Sequence, residues 1–129
     1  MTIPKDLKYT KEHEWAKKDS HGIKVGITDY AQSELGDVVF VEVPEIGKQV
    51  KSGESMATVE SVKAVSDIYA PISGKVVNAN KDLSDHPELV NQSPYEKAWL
   101  AVIEQANDAE FAGLMGAAEY EALVGKISK

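Results

Sequence analysis

Apolar and polar positions in the first hundred or so residues alternate in short runs instead of recurring at every third or fourth place. HEWAKK (13–18), GIKVGIT (22–28), DVVFVEV (37–43), SMATVES (55–61), AVSDIYA (64–70), GKVVNAN (74–80) and AWLAVIE (98–104) are separated by turn-forming segments such as GESM, APISG and NQSPYE. A two-residue period puts one set of side chains on a common sheet face, so these runs predict short antiparallel strands of a sandwich or barrel. One helix interrupts them: Thr28 is a capping residue ahead of a helix through Glu34, and Gly36 stands where it would stop. Beyond Glu104 the texture changes. Asn107 and Glu110 have capping-box spacing, and GAAEYEALVGK supplies helix formers up to Gly125. The expectation is a mainly β chain forming a single domain, 1–129, with a sandwich over roughly 12–105 and a C-terminal helical segment over roughly 107–125.

The chain also repeats itself. Gly36-Asp-Val-Val is echoed by Gly74-Lys-Val-Val, and Met56-Ala-Thr-Val-Glu60 by Leu100-Ala-Val-Ile-Glu104, the second copy being six residues longer between these landmarks, around SPYEKAW. Two copies of one pattern predict interleaved antiparallel sheets related by an approximate two-fold axis. The link between them, VESVKAVSDIYAPISG (59–74), forms a hairpin in such a pairing. Its centre is Val62-Lys63, where a tight turn ordinarily takes Gly, Asn or Asp. A local choice at odds with the turn marks a candidate functional position, so Lys63 is expected to project from the body with apolar Val62 and Val65 beside it.

Composition narrows the chemistry. A chain of 129 residues buries about two-thirds of its unfolded surface without needing a metal or disulfide staple. It has no cysteine, so it offers no thiolate of its own and any redox chemistry must be borrowed. The formal charge is −7 with scattered lysines, which argues against nucleic acid or an anionic membrane as partner. MTIPKDLKYTKEHEW has neither an apolar signal region nor a transit-peptide pattern, and a soluble bacterial cytoplasmic protein is expected. His13, His21 and His86 are too scattered to predict a metal site. Gly22, Gly47, Gly53 and Gly74 read as turn glycines, and Tyr95 as a packing residue anchored by its hydroxyl.

The run Glu60-Ser61-Val62-Lys63-Ala64, followed by Asp67 and Pro71-Ile72-Ser73-Gly74, resembles the lipoyl-attachment segment of the H proteins of the glycine cleavage system. Tyr9, His13-Glu14-Trp15, Gly26-Ile27-Thr28-Asp29, Ala31-Gln32, Leu35 through Glu42, Asn91 through Glu96 and Trp99 resemble that family's landmarks in order. The resemblance implies a hammerhead-type antiparallel β sandwich of the biotinyl/lipoyl-like kind, with lipoate carried covalently on Lys63. It implies that Glu60, Ser61, Val62 and Ala64 are read by lipoate-attaching enzymes. The arm would shuttle the aminomethyl group of glycine from a pyridoxal-phosphate glycine decarboxylase to a tetrahydrofolate-dependent aminomethyltransferase, and a flavin-dependent dihydrolipoyl dehydrogenase would reoxidise it. Such a chain is a monomeric carrier and cosubstrate, not an enzyme, with no catalytic residue of its own. Glu14 and Asp67 are the candidates for sheltering the loaded arm by pairing with its ammonium.

Five other readings compete. A biotinyl carrier would flank its lysine with methionines, and here Val62 and Ala64 stand there. A lipoyl domain of a 2-oxoacid dehydrogenase would present Asp before the lysine and sit among linkers; a lipoyl-relay carrier would share the same attachment segment. A Schiff-base enzyme needs a desolvated amine in a pocket, which a projecting turn does not supply. A plain interaction module would use the tip without any cofactor.

Overall fold

The computed structural model describes residues 1–105 and 108–127. Strands β1 (Lys8–Tyr9), β2 (Glu14–Asp19), β3 (Gly22–Ile27), β4 (Val38–Glu42), β5 (Gln49–Val50), β6 (Ser55–Ser61), β7 (Val65–Tyr69), β8 (Gly74–Ala79) and β9 (Ala101–Gln105) are joined by helices α1 (Asp29–Leu35), α2 (Asp82–Asp85), α3 (Leu89–Gln92), α4 (Asp108–Ala112) and α5 (Ala117–Ile127). Antiparallel pairing builds a six-stranded sheet in the order β1-β2-β3-β9-β8-β5 and a three-stranded sheet β4-β6-β7. Each of the alternating runs coincides with most or all of one strand. The two-residue strands β1 and β5 and the four-residue helices α2 and α3 were not anticipated, because elements this short are defined by their tertiary partners and leave no period to read.

Hydrophobic alternation closes the sandwich. Ile23, Val25, Val76 and Ile103 of the larger sheet share one buried cluster with Val41, Met56, Val59 and Ile68 of the smaller. The two repeated segments appear as the strand pairs β4·β6 and β8·β9, one in each sheet. Both pairs are interrupted at equivalent places, between Val38 and Phe40 and between Val76 and Asn78, where the register shifts. In the first pair this bulge leaves Val39 and Phe40 both facing solvent.

A second cluster forms where the C-terminal helix docks. Leu7, Tyr9, Trp15, Tyr120 and Val124 are buried together, with Tyr9 and Tyr120 stacked at 4.6 Å between ring centroids. Trp15 pairs with Gly26 across β2 and β3 and lies flat over it: a β-carbon at position 26 would stand 2.6 Å from the indole.

Helix α1 forms as its local signals predict, with Thr28 Oγ accepting the Ala31 N–H and Gly36 taking φ +78° at the stop. Two expectations need correction, and a third falls outside the described residues. Helix α5 runs through Gly125 to Ile127, since Tyr120 and Val124 anchor it and a glycine in helical backbone only weakens the turn it sits in. Asn107, the expected capping residue, lies outside the described residues, while Glu110 accepts both the N–H and the hydroxyl of Ser73, at 2.7 and 2.8 Å. Gly74 is more than a turn glycine: a β-carbon there would fall 2.0 Å from the Glu104 carbonyl oxygen, so the close approach of β9 requires its absence.

Candidate functional site at the hairpin tip

Ser61, Val62, Lys63 and Ala64 connect β6 to β7, whose last pair toward the tip is Glu60 with Val65. The Ser61 N–H donates to the Ala64 carbonyl at 2.7 Å. The Ser61 hydroxyl accepts the amides of Lys63 and Ala64, at 3.3 and 3.1 Å, and donates to the Ala64 carbonyl. A serine oxygen inside the turn therefore does the work that left-handed backbone does in tighter turns. Neither Val62 nor Lys63 has positive φ; among the described non-glycine residues only His13 does. The conflict between turn and residue type inferred from the sequence is thus resolved by the serine. Ser61 itself is 5% exposed, and its hydroxyl faces the turn it closes, unlike the solvent-facing Glu60, Val62, Lys63 and Ala64.

The tip is tied down from outside the hairpin as well. Val62 N–H donates to the Asp37 carbonyl at 3.1 Å, and the stretch 36–38 is gripped in turn by one side chain on α3. Asn91 accepts the Val38 N–H and donates to the Gly36 carbonyl and to Gln32, with all three distances between 2.8 and 2.9 Å. The Lys63 stem lies across Gly36, its Cε 3.5 Å from where a β-carbon would be. Sequence reasoning did not single out Gly36, Asp37 or Asn91 as holding the lysine. The signal was present only as adjacency of Asn91 to the SPYE segment, read as packing.

Beside the tip a groove of about 310 Å³ runs between α1 and β7. Ile27, Ala31, Leu35 and Ile68 give it apolar walls, and Glu12, His13 and Glu34 supply its polar groups. Glu14, expected on a strand with solvent or arm in reach, is instead 1% exposed. Its carboxylate accepts from the Thr10 hydroxyl and from the Tyr69 N–H at the free edge of β7, stitching the two sheets together. Burial pushes this carboxyl up to about 7, against the opposing effect of those two hydrogen bonds. Glu14 lines a neighbouring cleft with Tyr9, Thr10 and Tyr69, and Glu12 borders both depressions. Asp67 is exposed, and strand alternation puts it with Val65 on the face opposite Ser66 and Ile68. The fold therefore does not bring Glu14 and Asp67 together on one surface.

Behind the groove, Tyr120 of α5 bonds to His13 Nδ1 at 2.8 Å and to the Thr28 hydroxyl at 2.7 Å. Burial lowers the His13 pKa, opposed by the charges of Glu12 and Glu34. This triplet, buried at Thr28 and Tyr120 and half-buried at His13, links the C-terminal helix to the cap of α1, a connection no local pattern announces. His86 stands apart, 3.4 Å from Glu88 on the surface. Tyr95 does anchor by its hydroxyl, which donates to the Thr2 carbonyl and accepts the Asp29 N–H. Among the described residues no helix is long and apolar enough to cross a membrane.

Comparison with known proteins adds a consistent set of likenesses. A sequence profile of the family described as Glycine cleavage H-protein matches residues 7–127. A glycine cleavage system H protein of Bacillus licheniformis is 55% identical over 124 residues, covering 96% of this chain and 98% of that one. The protein of the same name from Bacillus subtilis is 56% identical over 121 residues, covering 94% and 95%. In three dimensions the chain is similar to the crystal structure of a glycine cleavage system H protein from Mycobacterium marinum, with TM-score 0.85 and 37% identity over 98% of this chain and all of the other.

Proposed function

The chain belongs to the glycine cleavage H-protein family, and from that membership we propose that it is the lipoyl-bearing carrier of the glycine cleavage system, with lipoate attached through the side-chain nitrogen of Lys63. The observation that carries the reading is an exposed lysine on a turn whose backbone is closed by Ser61 and tied to Asp37, next to an apolar groove. A long unbranched acyl chain fits that setting: the Lys63 stem already lies along Gly36 toward α1, and the groove walls are Ile27, Ala31, Leu35 and Ile68. When bound, lipoate supplies a dithiolane that takes up the one-carbon amine unit of glycine at one enzyme and yields it at the next.

The chain's own residues present and protect. Amide formation removes the Lys63 charge that would otherwise keep the side chain in water, so the same stem can rest in the groove or enter a partner. Satisfied turn amides keep the tip from collapsing onto the sheet. Exposed Glu60, Val62 and Ala64 remain available to lipoate-attaching enzymes, while the buried Ser61 serves them by shaping the turn. Glu14 is proposed to meet a cationic amine in the cleft that adjoins the groove across Glu12, where a buried carboxyl gains its charge when a cation arrives. Asp67 stays a second candidate, reachable only over the edge of β7. The partners are the pyridoxal-phosphate decarboxylase, the tetrahydrofolate-dependent aminomethyltransferase and the flavin-dependent dihydrolipoyl dehydrogenase, with the chain acting as a monomer and cosubstrate.

Peptide mass mapping of protein made in lipoate-supplied cells, followed by glycine turnover with the partner enzymes, tests the reading. The expected result is acylation at Lys63 alone, with Lys63→Arg abolishing both acylation and turnover. Acylation elsewhere, or full turnover by the arginine variant, overturns it.

A further inference from the structure

Outward-facing residues of the three-stranded sheet stand in rows. Phe40, Glu60 and Val65 are successive cross-strand partners, and the next outward row is Glu42, Thr58 and Asp67. Side chains paired across antiparallel strands share a face, so Glu60 sits between an aromatic ring and a valine. The β4 bulge adds Val39 to the same end, and the turn adds Val62. Val39, Phe40, Val62 and Val65 are 50, 49, 72 and 66% exposed, and they are four of the seven large hydrophobic side chains left in solvent among the described residues. Apolar surface gathered this way around a charged centre marks an interaction site.

We propose that this face is the docking surface for the enzymes that receive the arm, and that it takes a partner mouth built as an apolar shelf with a lysine or arginine opposite Glu60. The inference rests on the carrier reading and names the partner chemistry of the same tip. Charge decides the kind of occupant. Glu60, Glu42 and Asp67 face outward together, and Glu60 makes no ion pair among the described residues. Acylation removes the positive charge of Lys63, so the loaded tip is more acidic than the bare one. A second copy of this chain is disfavoured, because two-fold pairing of the patch would set Glu60 against Glu60 on molecules that each carry −7.

The test uses fully lipoylated protein, checked by mass, with Phe40→Ser/Val65→Ser together, Glu60→Gln alone, and Ile46→Ser as an exposed apolar control away from the tip. Steady-state turnover with the decarboxylase and the aminomethyltransferase is measured at low and moderate salt. Losing two central apolar contacts is expected to raise the KM for the carrier about ten-fold at unchanged kcat. Glu60→Gln is expected to flatten the salt dependence of kcat/KM, and Ile46→Ser to match wild type. Normal wild-type turnover beside variants that keep its KM and its salt dependence overturns the surface alone. A wild-type chain that supports no turnover overturns the carrier reading and the surface with it.

Discussion

The backbone N–H of Val62 donates to the carbonyl of Asp37 across 3.1 Å, so the residue before Lys63 is held by the segment that leaves helix α1. This bond makes the lysine's position a property of three parts of the chain. The hairpin supplies the turn, the stretch from Gly36 to Val38 supplies the acceptor, and Asn91 on α3 holds that stretch in place. A lysine at the end of an unsupported hairpin would wander with the tip, whereas this one leaves the body from a defined point.

Asn91→Ala should therefore act on Lys63 without touching it. Removing three half-buried hydrogen-bonding contacts costs on the order of 1–3 kcal/mol, read as a lower urea midpoint. At a temperature where both proteins stay folded, enzymatic lipoylation of Lys63, followed by intact mass, should slow in the variant. Equal rates would show that the α3 contact supports the fold but does not position the lysine.

Ser61→Ala tests the turn itself. Its hydroxyl is the acceptor for the Lys63 and Ala64 amides, and leaving those donors to find water should cost about 1–2 kcal/mol. Ser61→Thr keeps the oxygen and should recover much of the loss. Hydrogen exchange at the Lys63 and Ala64 amides, faster in the alanine variant and restored in the threonine one, separates this role from general destabilisation.

Glu14 gives the stability a pH dependence of definite sign. Burial pushes its carboxyl from the ordinary 4.5 up to about 7, so the fold favours the protonated form. Its stabilising contribution is complete below the unfolded value and drains away as pH rises through 7. Measured by urea unfolding, the stability of wild type minus that of Glu14→Gln should fall by on the order of 3 kcal/mol between pH 4.5 and pH 8. A difference that does not move with pH would mean that the carboxylate is ionised throughout this range.

Alternation every second residue was enough to locate the strands on both sides of Lys63, and Thr28 and Gly36 were enough to delimit α1, because periodicity and caps are encoded between near neighbours. The internal repeat likewise announced a hairpin between its copies, and the resemblance of the segment from Glu60 to Gly74 pointed to its chemistry. Those are local facts, and the sequence alone determined them.

Tertiary structure decided the rest. Glu14 looks like any acidic residue on a strand until Tyr69, 55 positions away, donates to it. Asn91 grips Val38 across 53 positions, and Tyr120 reaches His13 across 107. The row of Phe40, Glu60 and Val65 exists only because three strands pair in one register, with a bulge turning Val39 outward as well. Desolvation, long-range hydrogen bonding and shared sheet faces depend on which distant segments meet, and no window of neighbouring residues carries that information.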